Sequence, residues 1–159
     1  MTKTLYMMVG IPGSGKSTYI DKHLYSPDTD AFVFSTDDEI MAEAELSGRT
    51  YQEIFKEYYN VAWHTMLLEL ERAIEAGRDI IWDQTNTTRK SRAEKLLTIP
   101  KEYHRIGVFL DVPLHTCLAR NNERGRDKLP DEIVREFHGK IEEPTLIESF
   151  DEIWNVRTL

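Results

Sequence analysis

The chain has 159 residues, 40% hydrophobic and 30% charged, with 20 Lys and Arg against 28 Asp and Glu for a formal net charge of −8. That length suits one domain with an ordinary core, and the composition excludes disordered, collagen-like and membrane classes. The deficit of positive charge also speaks against a polyanionic partner, because nucleic-acid binders usually carry a basic balance.

Short apolar runs at Leu5–Val9, Ala31–Phe34, Ile80–Trp82, Ile106–Leu110 and Ile153–Val156 alternate with longer amphipathic stretches. This alternation predicts βαβ units around a parallel sheet. The second run leads into Thr36-Asp37-Asp38-Glu39, which reads as a capping box with Thr36 as the N-cap. Thr50-Tyr51-Gln52-Glu53 is another, opening a helix that Gly77 stops. Its inward stripe reads as Tyr51, Ile54, Tyr58, Val61, Ala62, Met66, Leu70, Ala73 and Ile74. Arg120-Asn121-Asn122-Glu123-Arg124-Gly125 follows the fourth strand and its helix, and Pro130 restarts a helix. One domain spanning 1–159 is expected, with a lid at about 118–130. Cys117, the only cysteine, lies in an apolar stretch and reads as a packed small hydrophobe. The N-terminal stretch lacks the marks of a signal peptide, no window reaches a membrane span, and the expected location is cytoplasmic.

Gly10-Ile11-Pro12-Gly13-Ser14-Gly15-Lys16-Ser17 matches GxxxxGK[ST] in full, after an apolar strand and before an amphipathic helix. Glycines let such a loop fold into a nest of inward N–H groups, and the helix adds its positive end. In that setting Lys16 reaches the β- and γ-phosphates of a nucleoside triphosphate, and the Ser17 hydroxyl is the natural Mg²⁺ ligand. An acid at a strand end usually helps to organise that ion, and Asp83 and Asp111 both qualify; Asp111 also reads as a cap for the helix starting at Pro113. Asp37 and Asp38 stand at the end of the second strand, on the rim where open α/β sheets bind ligands. Asp37 reads either as a general base or as a simple stabiliser of the helix N-terminus. Arg120 and Arg124, four apart, read as one face of a helix–loop–helix that closes over the triphosphate, or as a solvated basic face. Trp63 and Trp154 read as core or interface residues. Trp82 adjoins Asp83, where stacking on a base is a further reading.

Together these segments resemble the polynucleotide 5′-kinase branch of the P-loop kinases, typified by the kinase domain of phage end-healing enzymes. The resemblance runs through Gly10–Thr18, Thr36-Asp37-Asp38, Asp83-Gln84-Thr85-Asn86, Asp111-Val112-Pro113, Arg120–Gly125 and Leu129–Ile133. It implies an α/β fold with a five-stranded parallel sheet of order 2-3-1-4-5, helices on both faces and a small helical lid. It further implies transfer of the ATP γ-phosphate to a hydroxyl on nucleic acid, with Mg²⁺. On this resemblance Gly10, Pro12, Gly13, Ser14, Gly15, Lys16, Ser17 and Thr18 bind the donor, Lys16 also serving catalysis. Asp37 is the general base, Arg124 stabilises the transition state and Arg120 contacts donor phosphates. Asp83 lines the same site and is preferred over Asp111, pairing with Ser17 at the metal; Asp38, Thr85 and Asn86 stand on the acceptor side.

One departure bears on the acceptor. Enzymes of this branch that act on a 5′ end resemble one another in an arginine shortly after the paired aspartates, which grips the acceptor's 3′-phosphate. Here Glu39-Ile40-Met41 follows, with no basic residue before Arg49. The 5′-hydroxyl is therefore the default acceptor, with rivals. One is the hydroxymethyl group of a modified pyrimidine (5-hydroxymethyluridine) in phage DNA. The others are a small-molecule or nucleoside kinase and a nucleotide-gated binding module. Local charge softens the opening inference: residues 84–95 carry a net of +3 and residues 118–128 a net of +2, against −6 over 131–152. Both basic windows follow strands expected to end at the catalytic rim, which predicts a polarised surface.

Overall fold

The computed structural model describes residues 2–125 and 128–157. Five strands form one parallel sheet: β1 (Thr4–Val9), β2 (Phe32–Phe34), β3 (Ile80–Trp82), β4 (His104–Leu110) and β5 (Glu152–Val156), in the order β2-β3-β1-β4-β5. The helices are α1 (Lys16–Tyr19, continued by a π-helical turn at Ile20–Leu24), α2 (Thr36–Ser47), α3 (Tyr51–Glu75), α4 (Arg89–Leu96), α5 (Leu114–Asn122) and α6 (Asp131–Lys140). The expected sheet order is the observed one.

Strand alternation places the two halves of the core. Leu5 and Met7 of β1, with Ile80 and Trp82 of β3, face Met66, Leu70 and Ala73 of α3 and Leu96 of α4. Met8, Ile81, Ile106 and Val108 face the other way, onto Ile20 and Leu24 behind α1. Both faces are covered, as a parallel sheet requires. Because β1 is central, the loop that leaves it emerges at the middle of the sheet's C-terminal rim.

Two helix starts illustrate how local rules met tertiary context. Thr50 and Glu53 form the expected capping box of α3. At α2 the cap is Ser35, one residue earlier than expected: its hydroxyl accepts from the Asp38 amide at 3.3 Å. Thr36 becomes the first helical residue, and its hydroxyl instead accepts from Gln84 Nε2 at 2.9 Å. Along α3, Val61 is 49% exposed rather than inward. The helix packs chiefly through Ile54, Ala62, Met66, Leu70 and Ala73, and Val61 lies outside that arc.

The net +3 read at residues 84–95 does not reach the surface as such. Arg92 is 0% exposed, gripping Glu148 through two bonds (Nε 2.8 Å, Nη2 3.1 Å) and the Asn86 carbonyl through Nη1 at 2.8 Å. Lys95 turns inward to Asn86 Oδ1 at 2.5 Å, and Arg89 lies 3.9 Å from Glu148. The fold consumes much of that charge in holding the turn after β3. Of the second basic window, Arg126 and Asp127 lie outside the described residues.

Removing Arg92 strands Glu148 and the Asn86 carbonyl. Arg92→Met is expected to cost about 3–5 kcal/mol, the usual penalty for breaking one side of a buried pair. Urea unfolding measures it, and pairing with Glu148→Leu should recover part of the loss; full stability in the single variant would refute this account.

Candidate active site

After Val9 the chain turns over the rim. Gly13 and Gly15 take φ of +84° and +91°, a region that glycine enters without cost. Gly13 is required twice over, because a Cβ there would come 2.4 Å from the Cys117 carbonyl oxygen of α5. A Cβ on Gly10 would lie 2.5 Å from the hydroxyl of Ser14, which is fully buried and has no partner for that oxygen. Pro12 is buried beside them and Thr18 stands exposed on α1. The first turn of α1 has backbone amides with no intrahelical partner, and they open onto this loop. Lys16 Nζ folds back over the loop to the carbonyls of Gly10 (3.1 Å) and Ile11 (3.2 Å). Burial pulls its pKa down; the carboxylates of Asp83 and Asp37 oppose the shift and Arg124 reinforces it.

Asp83 sits directly beyond β3, its amide donating to the Phe34 carbonyl at 2.8 Å. With Ser17, Asp38 and Asp21 it lines a cavity of about 230 Å³ beside the loop. Burial raises its pKa to about 6, Lys16 pulling it down while Asp38, Asp37 and Asp21 push it up. Asp38 is also raised, by burial and then by Asp37. Asp111 does neither of the things read for it. It is exposed, 3.6 Å from Arg157, and α5 begins after Pro113 with no side-chain cap.

Asp37, exposed in the first turn of α2, diverges from Asp38. Its carboxylate accepts from the Tyr51 hydroxyl at 2.6 Å. Burial, then the Asp37 charge, hold the Tyr51 phenol well above its ordinary pKa, so it stays a donor. Residues beyond α5 meet this side of the site. Asn121 is fully buried and clamps Leu129 through both backbone groups, at 2.7 Å and 3.0 Å, while Gln52 donates to the Lys128 carbonyl at 2.6 Å. Arg120 reaches the Gly13 carbonyl at 3.4 Å. Arg124 lies beyond the end of α5, in an exposed turn, so it does not share a helical face with Arg120.

Two expectations shift, those for Asn86 and Trp82. Asn86 is 1% exposed, and its amide donates to Met8 O at 2.7 Å while its oxygen takes Lys95. It braces the site and cannot face an acceptor. Thr85 is half-buried, and its carbonyl accepts from Gly10 N at 3.0 Å. Trp82 is enclosed, stacked on Phe34 with ring centres 4.1 Å apart, so it is closed to a base. Given no site role from the sequence were Tyr51, Gln84, Asp21 and Asn121, although Gln84 and Asn121 lie within the stretches that carry the resemblance. Tyr51 had a further signal: aromatic residues at 51, 55, 59 and 63, every fourth position of a helix.

The residues present fit a nucleoside phosphate with Mg²⁺. The loop offers Lys16, and the cavity offers Ser17 and Asp83. Mg²⁺ ordinarily takes one or two carboxylates and completes its shell with phosphate and water. Accordingly, no trio of His, Cys, Asp or Glu among the described residues is grouped to hold a metal unaided. Nor is any helix among them long and apolar enough to cross a membrane.

Asp83 has a measurable cost. Its carboxyl holds a proton more tightly in the fold (about 6) than in an unfolded chain (3.8). Stability from this group is therefore greatest below pH 4 and is lost as pH rises through 4–6. Asp83→Asn is expected to stabilise the free protein by about 1–3 kcal/mol at pH 8 and by nothing at pH 4. Denaturant titrations at both pH values test this; an equal effect at both would contradict it.

Comparison with known proteins agrees with this geometry. A candidate kinase from Chloroflexus aurantiacus superposes with a TM-score of 0.75 at 16% identity, over 99% of this chain and 89% of that one. A chain of the Pnkp1/Rnl/Hen1 RNA repair complex gives 0.68 at 18%, over 87% of this chain but only 44% of its own length. A gluconokinase from Sinorhizobium meliloti 1021 gives 0.57 at 12%, over 97% and 82%. The shared fold is that of P-loop kinases. Residues 5–144 match the family model described as an AAA domain, AAA_33, and the chain belongs to that family.

Proposed function

We propose that this chain is an ATP- and Mg²⁺-dependent kinase that phosphorylates a hydroxyl of a nucleic acid, by default a 5′-hydroxyl. The observation that carries the reading is the convergence on one rim of a phosphate cradle and a carboxylate held ready to take a proton. Lys16 feels the charges of Asp83, Asp37 and Arg124 together. A switch that only senses nucleotide needs no carboxylate aimed outward. The RNA repair complex among the similar folds supports the nucleic-acid acceptor.

The roles follow from position. Lys16 and the loop amides hold the β- and γ-phosphates, with Gly10, Pro12, Gly13, Ser14 and Gly15 shaping the cradle. Arg120 sits against Gly13 to complete it, and Thr18 flanks it on α1. Ser17 and Asp83 would hold Mg²⁺, which would neutralise charge on the phosphate oxygens. Asp37 accepts the proton from the attacking hydroxyl through the oxygen that Tyr51 leaves free. The hydroxyl oxygen bonds to the γ-phosphorus as the bond to the β-bridging oxygen breaks. Arg124 offsets charge on the equatorial oxygens.

A second reading has its own observation. Ile40 occupies the region where a phosphate-gripping arginine is expected, and it is fully buried among Ala44, Ile54 and Ala62. With no cation there, an internal acceptor such as the hydroxymethyl group of a modified pyrimidine is the rival to a 5′ end.

With γ-labelled ATP and Mg²⁺, wild-type protein should label 5′-hydroxyl oligonucleotides, or hydroxymethyluracil DNA on the second reading; label on neither sinks the nucleic-acid assignment. Lys16→Ala and Arg124→Ala should reduce transfer about a thousandfold or more. Asp37→Asn should lose about 10²–10⁴-fold in kcat while binding ATP normally. Normal turnover in Asp37→Asn would remove it as the base.

A further inference from the structure

Along α3, Tyr51, Phe55, Tyr59 and Trp63 recur every fourth residue and form a single ridge, since i and i+4 lie on one helix face. The lower end is structural: Trp63 packs edge-on against Phe34 at 5.3 Å, beside buried Trp82. The upper three differ. Tyr51 and Phe55 have ring centres 5.6 Å apart, and Phe55 and Tyr59 5.1 Å, each pair tilted by about 40°. Phe55 is 37% exposed. Tyr51 carries its hydroxyl into the site, donating to Asp37, and Tyr59 is partly buried against the cluster of Ile40, Ala44, Ile54 and Ala62. The ridge is thus continuous with the candidate base.

Resting on the nucleic-acid reading above, we propose that Phe55, flanked by Tyr51 and Tyr59, is the platform on which a base of the acceptor strand stacks. Three observations select that occupant. The exposed Phe55 ring is aromatic and apolar, which suits another aromatic ring. Its Tyr51 end lies within the electrostatic reach of Arg124 and Asp37, so a ligand seated there places an anionic backbone near the one and a hydroxyl near the other. And α2, where Ile40 is core, supplies no cation for the acceptor's phosphate, so a hold besides charge adds to what Arg124 offers. Base–aromatic stacking provides that hold and is tolerant of sequence.

The test uses equilibrium binding first, so that it does not depend on turnover. A fluorescent single-stranded oligonucleotide with a 5′-hydroxyl is titrated with wild-type protein, Phe55→Ala and Phe55→Trp, each checked for an unchanged unfolding transition. Phe55→Ala is expected to bind about tenfold more weakly and Phe55→Trp at least as tightly as wild type. A matched oligonucleotide with abasic sites at its 5′ end should reproduce the loss on unaltered protein. Binding of a fluorescent ATP analogue should not move. Acceptor KM should rise with kcat nearly constant in Phe55→Ala. If Phe55→Ala binds the oligonucleotide as wild type does, or the abasic strand binds as the intact one, the platform is wrong. The kinase reading then stands or falls on labelling alone. If wild type binds the strand through Phe55 yet labels no nucleic acid, the platform holds and the nucleic-acid acceptor assignment fails.

Discussion

Two hydrogen bonds between the ends of neighbouring strands hold the site in register. The paired stretch of β1 and β3 ends at Met7 and Trp82. Beyond it, Asn86 Nδ2 donates to Met8 O and Gly10 N donates to Thr85 O. These bonds tie the exit of the phosphate loop to the turn that carries Asp83. Asn86 meets the requirement by adopting φ of +47°, which asparagine tolerates better than most residues. Its carbonyl is held by Arg92 and its side-chain oxygen by Lys95, whose pKa burial lowers to about 8. A line of support therefore runs from Glu148, through Arg92 and Asn86, to the start of the loop.

On that frame the site holds charges that the free protein tolerates poorly. Lys16 is depressed, Asp83 and Asp38 are raised, and burial is the largest cause in each case. Lys16 meanwhile satisfies its protons on the loop's own carbonyls. An anion in the cradle competes with those carbonyls, and a cation beside Asp83 relieves its crowding with Asp38 and Asp21. Ligand binding thus repairs electrostatics that folding leaves strained, so stability and ligand occupancy are coupled. Tyr51 serves the same economy by fixing one oxygen of Asp37 without neutralising it.

What the sequence made legible was local or periodic: the phosphate loop, the alternation that predicts the sheet, the α3 capping box and Asp83 at a strand end. What it hid depended on partners far along the chain. Ser35 and Thr36 are equally competent caps, and Gln84, 48 residues away, decides between them by taking the Thr36 hydroxyl. The direction of Arg92 is set by Glu148, 56 residues distant. Asn86 reads as a polar turn residue until Met8 and Lys95 enclose it. The aromatic ridge on α3 was legible in spacing, but a search for apolar stripes at mixed three- and four-residue steps follows Tyr51 to Ile54 and passes over Phe55.

The net charge of −8 can now be placed. Much of the positive charge near the site is internal or paired: Arg92 and Lys95 face the core, and Arg120 turns to the loop. Cations so placed act on phosphates already in the cradle and contribute little to a polyanion lying outside it. Affinity for a strand that rested on phosphate contacts would need a basic track, and such contacts hold any nucleic acid alike. Stacking on Phe55 has a different consequence. It rewards a base that can leave its own stack, as at a strand end, a gap or a single-stranded stretch, and it rewards a paired interior base far less. On the proposed nucleic-acid reading, an acidic exterior and an aromatic step flanked by Tyr51 act together: the first keeps duplex nucleic acid from accumulating on the surface, and the second admits the unstacked nucleotide whose hydroxyl can reach Asp37.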